Sequence, residues 1–145
     1  MIELLIVIAI VGVIAAIGTG AFSRFTAQAA LDGTAQQALS VFEEVRARTL
    51  ASENDQQFGV HIDESQIVLF IGDTYTSGSP TNEVTLFNSR VTASDISLTG
   101  GATNVVFERL TGKADVVGTV TFTLASDPTR IKVLRIGRTG VVEIE

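Results

Sequence analysis

Between Leu4 and Ser23 the chain carries 20 consecutive residues without a charged side chain, and a single carboxylate, Glu3, stands at their head. As a helix such a run is about 30 Å long, the thickness of a bilayer's hydrocarbon core. An acidic side chain in lipid costs roughly 2.5–3.5 kcal/mol on insertion scales, so a carboxylate at this position is expected to have a function. A cleavable signal peptide would begin with basic residues, carry an apolar centre of about 7–15 residues and end at small residues. Here no Lys or Arg precedes the run, and Glu opens it. The reading is a retained membrane-spanning helix over residues 1–24. Arg24 is the cation flanking it, and a literal positive-inside count would put that end in the cytoplasm. That conflicts with an exported remainder, so the expectation is a basic leader removed ahead of Met1.

Gly12, Gly18 and Gly20 lie inside this helix, with Ala15, Ala16 and Ala21 beside them. Each Gly costs up to about 1 kcal/mol of helix propensity relative to Ala. Small residues also let helices approach closely. One reading is ordinary glycine usage in a transmembrane helix. The other is a helix that packs against copies of itself and loosens locally.

No break follows Arg24. Apolar or small residues recur at Leu31, Ala35, Ala38, Phe42, Val45 and Thr49, the 3–4 spacing of one helical face. Gln36, Gln37, Glu43, Glu44, Arg46 and Arg48 occupy the other side. The helix is expected to pass the soft spot at Asp32-Gly33 and stop at Asn54-Asp55, about 75 Å from its start. A simple anchor needs no amphipathic extension, so something must pack on residues 25–54.

Residues 55–145 read as short strands punctuated by turns. "QFGVHI" and "QIVLFIG" flank "DESQ" as a hairpin, and "EVTLF", "VVFER", "GTVTFTLAS", "RIKVLRIG" and "VVEIE" follow. Val120, Phe122 and Leu124 alternate with Thr119, Thr121 and Thr123, the pattern of a half-buried strand. Seven or so antiparallel strands are expected, one face packing on the amphipathic helix. "SRVTASDISLTGGATN" reads as a connection.

Composition narrows the chemistry. With 145 residues, one globular domain beside the apolar helix is the expectation. A net charge of -6 argues against wholesale nucleic-acid binding. There is no Cys, and His61 is the one His, so thiolate chemistry, a His-based triad and a multi-His metal site have no support. Glu43 and Glu44 read as a solvated face; Asp63, Glu64 and Asp73 read as turn acids. No phosphate-binding glycine loop occurs. The expectation is a non-enzyme without cofactor or metal. Four of the ten cations, Arg130, Lys132, Arg135 and Arg138, cluster in "RIKVLRIGRTG" with no acid among them. Such a stripe would suit phosphates. The preferred reading is solvated strand faces partly balanced by Glu143 and Glu145.

"MIELLIVIAIVGVIAA" resembles the start of type IV pilins and pseudopilins, which read Phe-Thr-Leu-Ile-Glu-Leu-Leu-Ile-Val and continue as an Ile/Ala/Gly helix. The match covers about twenty residues. The strand-rich remainder, ending "RIGRTGVVEIE", is similar to the GspH/FimT group of minor pilins and pseudopilins. The family's leader-peptidase site and N-methylated Phe are not in this sequence, and Met1 stands where Leu is usual.

The resemblance implies an α+β, pilin-like fold: a long N-terminal helix packed on an antiparallel β head. It implies a structural subunit of a type IV pilus or pilus-like filament, partnered by copies of itself, by inner-membrane assembly machinery and by a prepilin peptidase. Such a subunit crosses the bacterial inner membrane once and then joins an extracellular or periplasmic filament. Glu3 would pair with the N-terminal amine of a neighbouring subunit, and the helix would loosen between Gly12 and Gly20, where Gly20 replaces a helix-breaking Pro of some relatives. The alternatives are a minor pseudopilin of a type II secretion system, or a minor tip pilin taking up DNA through Arg130, Lys132, Arg135 and Arg138. DNA-binding members carry Gly-Arg-x-Arg near the end; this chain has Gly137-Arg138-Thr139-Gly140, without the second Arg. An anchored β domain of unrelated function is a third option, which leaves Glu3, the glycines and the amphipathic helix unexplained together.

Overall fold

A computed structural model describes residues 2–145, apart from the side chains of 15–21. One helix, α1 (Ile2–Leu50), runs 49 residues without interruption, about 74 Å at 1.5 Å per residue. Asp32-Gly33 does not break it, and neither do Gly12, Gly18 or Gly20. Leu31, Ala35, Ala38, Phe42, Val45 and Thr49 are all buried, so the 3–4 spacing marks the packed face. The buried Thr49 hydroxyl donates to the Val45 carbonyl one turn back at 2.8 Å, which makes its burial affordable within the helix itself.

The helix ends at Leu50, short of Asn54-Asp55. Ser52, Asn54 and Asp55 all take positive φ around a short 3-10 turn at Glu53–Asp55. Asn and Asp tolerate that left-handed backbone better than most residues. The Asn-Asp pair therefore makes the reversal after the helix and not its last turn. Arg109 clamps the reversal, donating to the Asp55 carbonyl at 2.7 Å and to Asp55 Oδ1 at 3.1 Å.

The head holds eight strands: β1 (Phe58–Ile62), β2 (Gln66–Ile71), β3 (Glu83–Leu86), β4 (Val91–Leu98), β5 (Asn104–Val106), β6 (Gly118–Leu124), β7 (Asp127–Ile136) and β8 (Val142–Ile144). They form two four-stranded antiparallel sheets, in the orders β3-β2-β1-β5 and β4-β6-β7-β8. The antiparallel head expected from the sequence is thus divided between two sheets. The helix's buried stripe and the inner faces of both share one core, containing Phe42, Phe58, Phe87, Phe107 and Phe122. Val120, Phe122 and Leu124 point into it, as their alternation with threonine predicts.

β4 is the strand that sequence reading misses. Its core-side positions are Val91, Ala93, Ile96 and Leu98, and the register shifts between Ala93 and Asp95. That bulge inserts Ser94, whose hydroxyl reaches the Thr121 carbonyl at 3.2 Å. One extra residue turns a 2-2 alternation into 2-3-2 and hides the strand.

Candidate functional site

The amphipathic half of α1 is spent on the head; the large apolar residues described in the other half are left bare. Every large apolar residue described from Ile2 to Ile14 is more than half exposed, and Phe22 and Phe25 are 70% and 72% exposed. Exposure on all sides follows from a sequence apolar all round, which leaves no polar face to turn outward. Folded monomers in water rarely present contiguous apolar surface beyond a few hundred Å², and a larger expanse marks a partner or a lipid phase. Glu3 is exposed in the first turn of this rod, where the positive end of the helix dipole favours a carboxylate. A side chain built at Gly12 would meet no atom within 4 Å, so Gly12 leaves a notch in the rod's surface. The surroundings of Gly18 and Gly20 lie outside the described residues, as does Met1. Among the described residues no helix is long and apolar enough to cross a membrane. The span read over residues 1–24 includes those outside the description, so the membrane anchor remains a reading of the sequence.

The basic stripe does not stay together. In β7, Arg130 and Lys132 share strand parity with the buried Leu134 and Ile136, and lean along the helix. Arg130 donates to Gln28 Oε1 at 3.0 Å and pairs with Asp127 at 3.3 Å, while Lys132 pairs with Asp32 of the helix at 3.6 Å. Arg135 has the opposite parity, lies on the outer face and pairs with Glu145 at 3.4 Å. Arg138 is exposed beyond the end of β7, in the turn to β8. The four cations therefore share no face, and three of them have carboxylate partners. A hydroxyl and a backbone N–H of Thr129, followed by Arg130, hold the Asp127 carboxyl below the usual carboxylate range.

The remaining candidate chemistry is structural. His61 is half-buried in β1, its ring stacked on Tyr75 at 3.9 Å, with Nδ1 2.6 Å from Asn104 Oδ1. Tyr75 comes from the polar loop after β2 and also meets the edge of Phe70. Phe70 in turn lies across Gly59, where any side chain would collide with its ring. The loop thus straps the outer face of the first sheet. Glu44 and Glu83 both pair with Arg48, at 2.5 and 2.7 Å, tying the helix to β3. No group of three or more His, Asp or Glu that would hold a metal occurs among the described residues.

A long N-terminal helix, bare and apolar at its start and packed on antiparallel sheets further along, is the pilin-like fold. Solved structures give the particular likeness. A crystal structure of the type IV minor pilin FimU of Pseudomonas aeruginosa superposes with a TM-score of 0.61 over 79% of this chain and 92% of that one, at 11% identity. A second crystal form of FimU gives 0.60 over 83% and 92%, at 15% identity. At such identities the likeness is one of fold. No protein-family model matches the sequence, and no curated protein matches it.

Proposed function

We propose that the chain is a structural subunit of a type IV pilus or pilus-like filament, assembling through residues 1–24. The observation that carries this is the bare apolar rod described from Ile2 to Ile14, on a helix whose second half packs its apolar stripe on the head. Rods of this kind are satisfied by lipid before assembly and by each other afterwards. In the bundle Glu3 would be the register charge. An isolated carboxylate in an apolar core is costly, and a cation from the next subunit relieves that cost only at one axial offset. The bacterial inner membrane, a prepilin peptidase and an assembly machinery belong to this reading, as does a final place in an extracellular or periplasmic filament. Glycines at 12, 18 and 20 would give the bundle its close approaches.

The fold likeness to a minor pilin favours a subunit present in few copies; a minor pseudopilin of a secretion system fits the same description. DNA capture by Arg130, Lys132, Arg135 and Arg138 loses support, because those side chains diverge and are mostly neutralised. The testing experiment is Glu3→Gln in the parent cell. The reading expects membrane insertion to persist and incorporation into sheared surface filaments, followed by mass spectrometry, to fail. Normal incorporation of that variant would discard the register role.

A further inference from the structure

We infer that the end of the head nearest the apolar rod carries an arginine collar that binds the phosphates of anionic lipid headgroups. The inference rests on the reading of residues 1–24 as a membrane anchor. It begins with three side chains that converge on one short length of helix. Arg24 directly follows the uncharged run that ends at Ser23. Arg90, from the turn between β3 and β4, donates to Thr26 Oγ1 at 3.4 Å. Arg130, from the start of β7, donates to Gln28 Oε1 at 3.0 Å. Helix positions 24, 26 and 28 span about 6 Å along the axis. Arg24 and Arg130 also line an open cleft of about 460 Å³, with Ser23, Ala27, Ser126 and Asp127. Three guanidinium groups therefore surround the helix at the level where an anchored chain meets the headgroups.

Much of this charge is available. Asp127 takes Arg130, and Asp32, a turn further up the helix, takes Lys132. Among the described residues, Arg24 and Arg90 have no carboxylate partner. The neighbouring acids Asp63 and Glu64 lie in the β1–β2 turn, whose backbone bonds to Phe87 and Ala93 on either side of Arg90, and neither forms an ion pair with Arg24 or Arg90. Arg24, Arg90, Arg130 and Lys132 against their partners Asp32 and Asp127 leave +2 among these groups, in a chain of net charge -6. An anionic surface would attract the unpaired guanidinium groups of Arg24 and Arg90, within a Debye length of the membrane. A guanidinium meets a phosphate with two parallel N–H donors, which suits arginine to the task. The collar would hold the head down on the bilayer, and extraction into a filament would have to release it.

The chain has no cysteine, so Ser89→Cys beside Arg90 gives a unique labelling position. The full-length labelled chain is reconstituted in phosphatidylcholine vesicles with or without phosphatidylglycerol, and quenching by a headgroup-nitroxide lipid is recorded. Quenching is expected to be stronger with phosphatidylglycerol. The Arg24→Gln/Arg90→Gln double variant should lower the ratio of docked to free heads on the order of thirtyfold, from roughly fivefold per arginine near an anionic surface. Arg135→Gln/Arg138→Gln, at the other end of the head, should leave it unchanged. Equal quenching in both vesicle types, or quenching indifferent to the Arg24/Arg90 variant, overturns the collar. Failure of the chain to float with either vesicle type would sink the anchor reading itself, and the collar with it.

Discussion

Phe42→Ala and Leu5→Ala remove large apolar groups from one helix, yet their costs should differ several-fold. Phe42 is 1% exposed, and its ring meets that of Phe107 edge-on at 6.3 Å, where helix and sheets join. Truncating a buried Phe costs about 3–5 kcal/mol, through lost transfer energy and the cavity left behind. Part of that sum is the edge-to-face contact, about 0.5–1.5 kcal/mol. A domain of ordinary stability holds only about 5–15 kcal/mol, so the head would become marginal. Leu5 is 67% exposed; its removal leaves no cavity, Ala is an equal or better helix former, and the expected change is within about 0.5 kcal/mol. Urea unfolding of the full chain in mild detergent measures both. Tyr75 is the single tyrosine, there is no tryptophan, and its stack on His61 makes its fluorescence a report on the head. The division of the helix into a packed half and a bare half is refuted if Phe42→Ala costs less than about 1 kcal/mol. It is equally refuted if Leu5→Ala lowers the midpoint as far.

Three further outcomes are expected. Gly140 has φ +76, and a Cβ there would strike the carbonyl of Gly112, so Gly140→Ala should cost at least about 1–3 kcal/mol in the same urea assay, whereas Gly33→Ala, in open space on the helix, should be neutral or stabilising. Asp127 has a lowered folded pKa, so its contribution is complete above the ordinary carboxylate range and is lost as pH falls through the lowered value; carboxyl-carbon NMR should show its titration move up in Thr129→Val. Arg48→Gln should cost no more than about 1 kcal/mol at low salt and less at high salt, because both of its ion pairs are solvent-exposed, as paired unfolding curves would register.

The helix was legible because its two halves differ in kind: apolar all round, then apolar on one stripe. Leu31 through Thr49 could be assigned to the core from spacing alone. The strands were legible where alternation was clean, as in Val120-Phe122-Leu124, and lost where the bulge at Ser94 changed the period. Their division into two sheets was not legible, since each sheet pairs strands distant in sequence, β1 with β5 and β4 with β6. The basic cluster is an instructive failure. Nine residues suggested a stripe, but strand parity separates Arg130 and Lys132 from Arg135, and their partners Asp32 and Asp127 lie outside the run of sequence that drew notice. The gathering of Arg24, Arg90 and Arg130 had no sequence signal at all, being assembled from the helix, the turn before β4 and the start of β7.

The central claim concerns what covers the bare rod. Ile10→Cys would place a single thiol on it, since the native chain has none, and a membrane-permeant thiol cross-linker applied to cells carrying the export machinery would report its neighbours. Cross-linked dimers, joining the rod to that of another copy of the chain or of another helix-bearing subunit with a thiol at the matching height, are the predicted result. A band that stays monomeric in the membrane, with nothing cross-linked even while filaments are being made, would contradict the account.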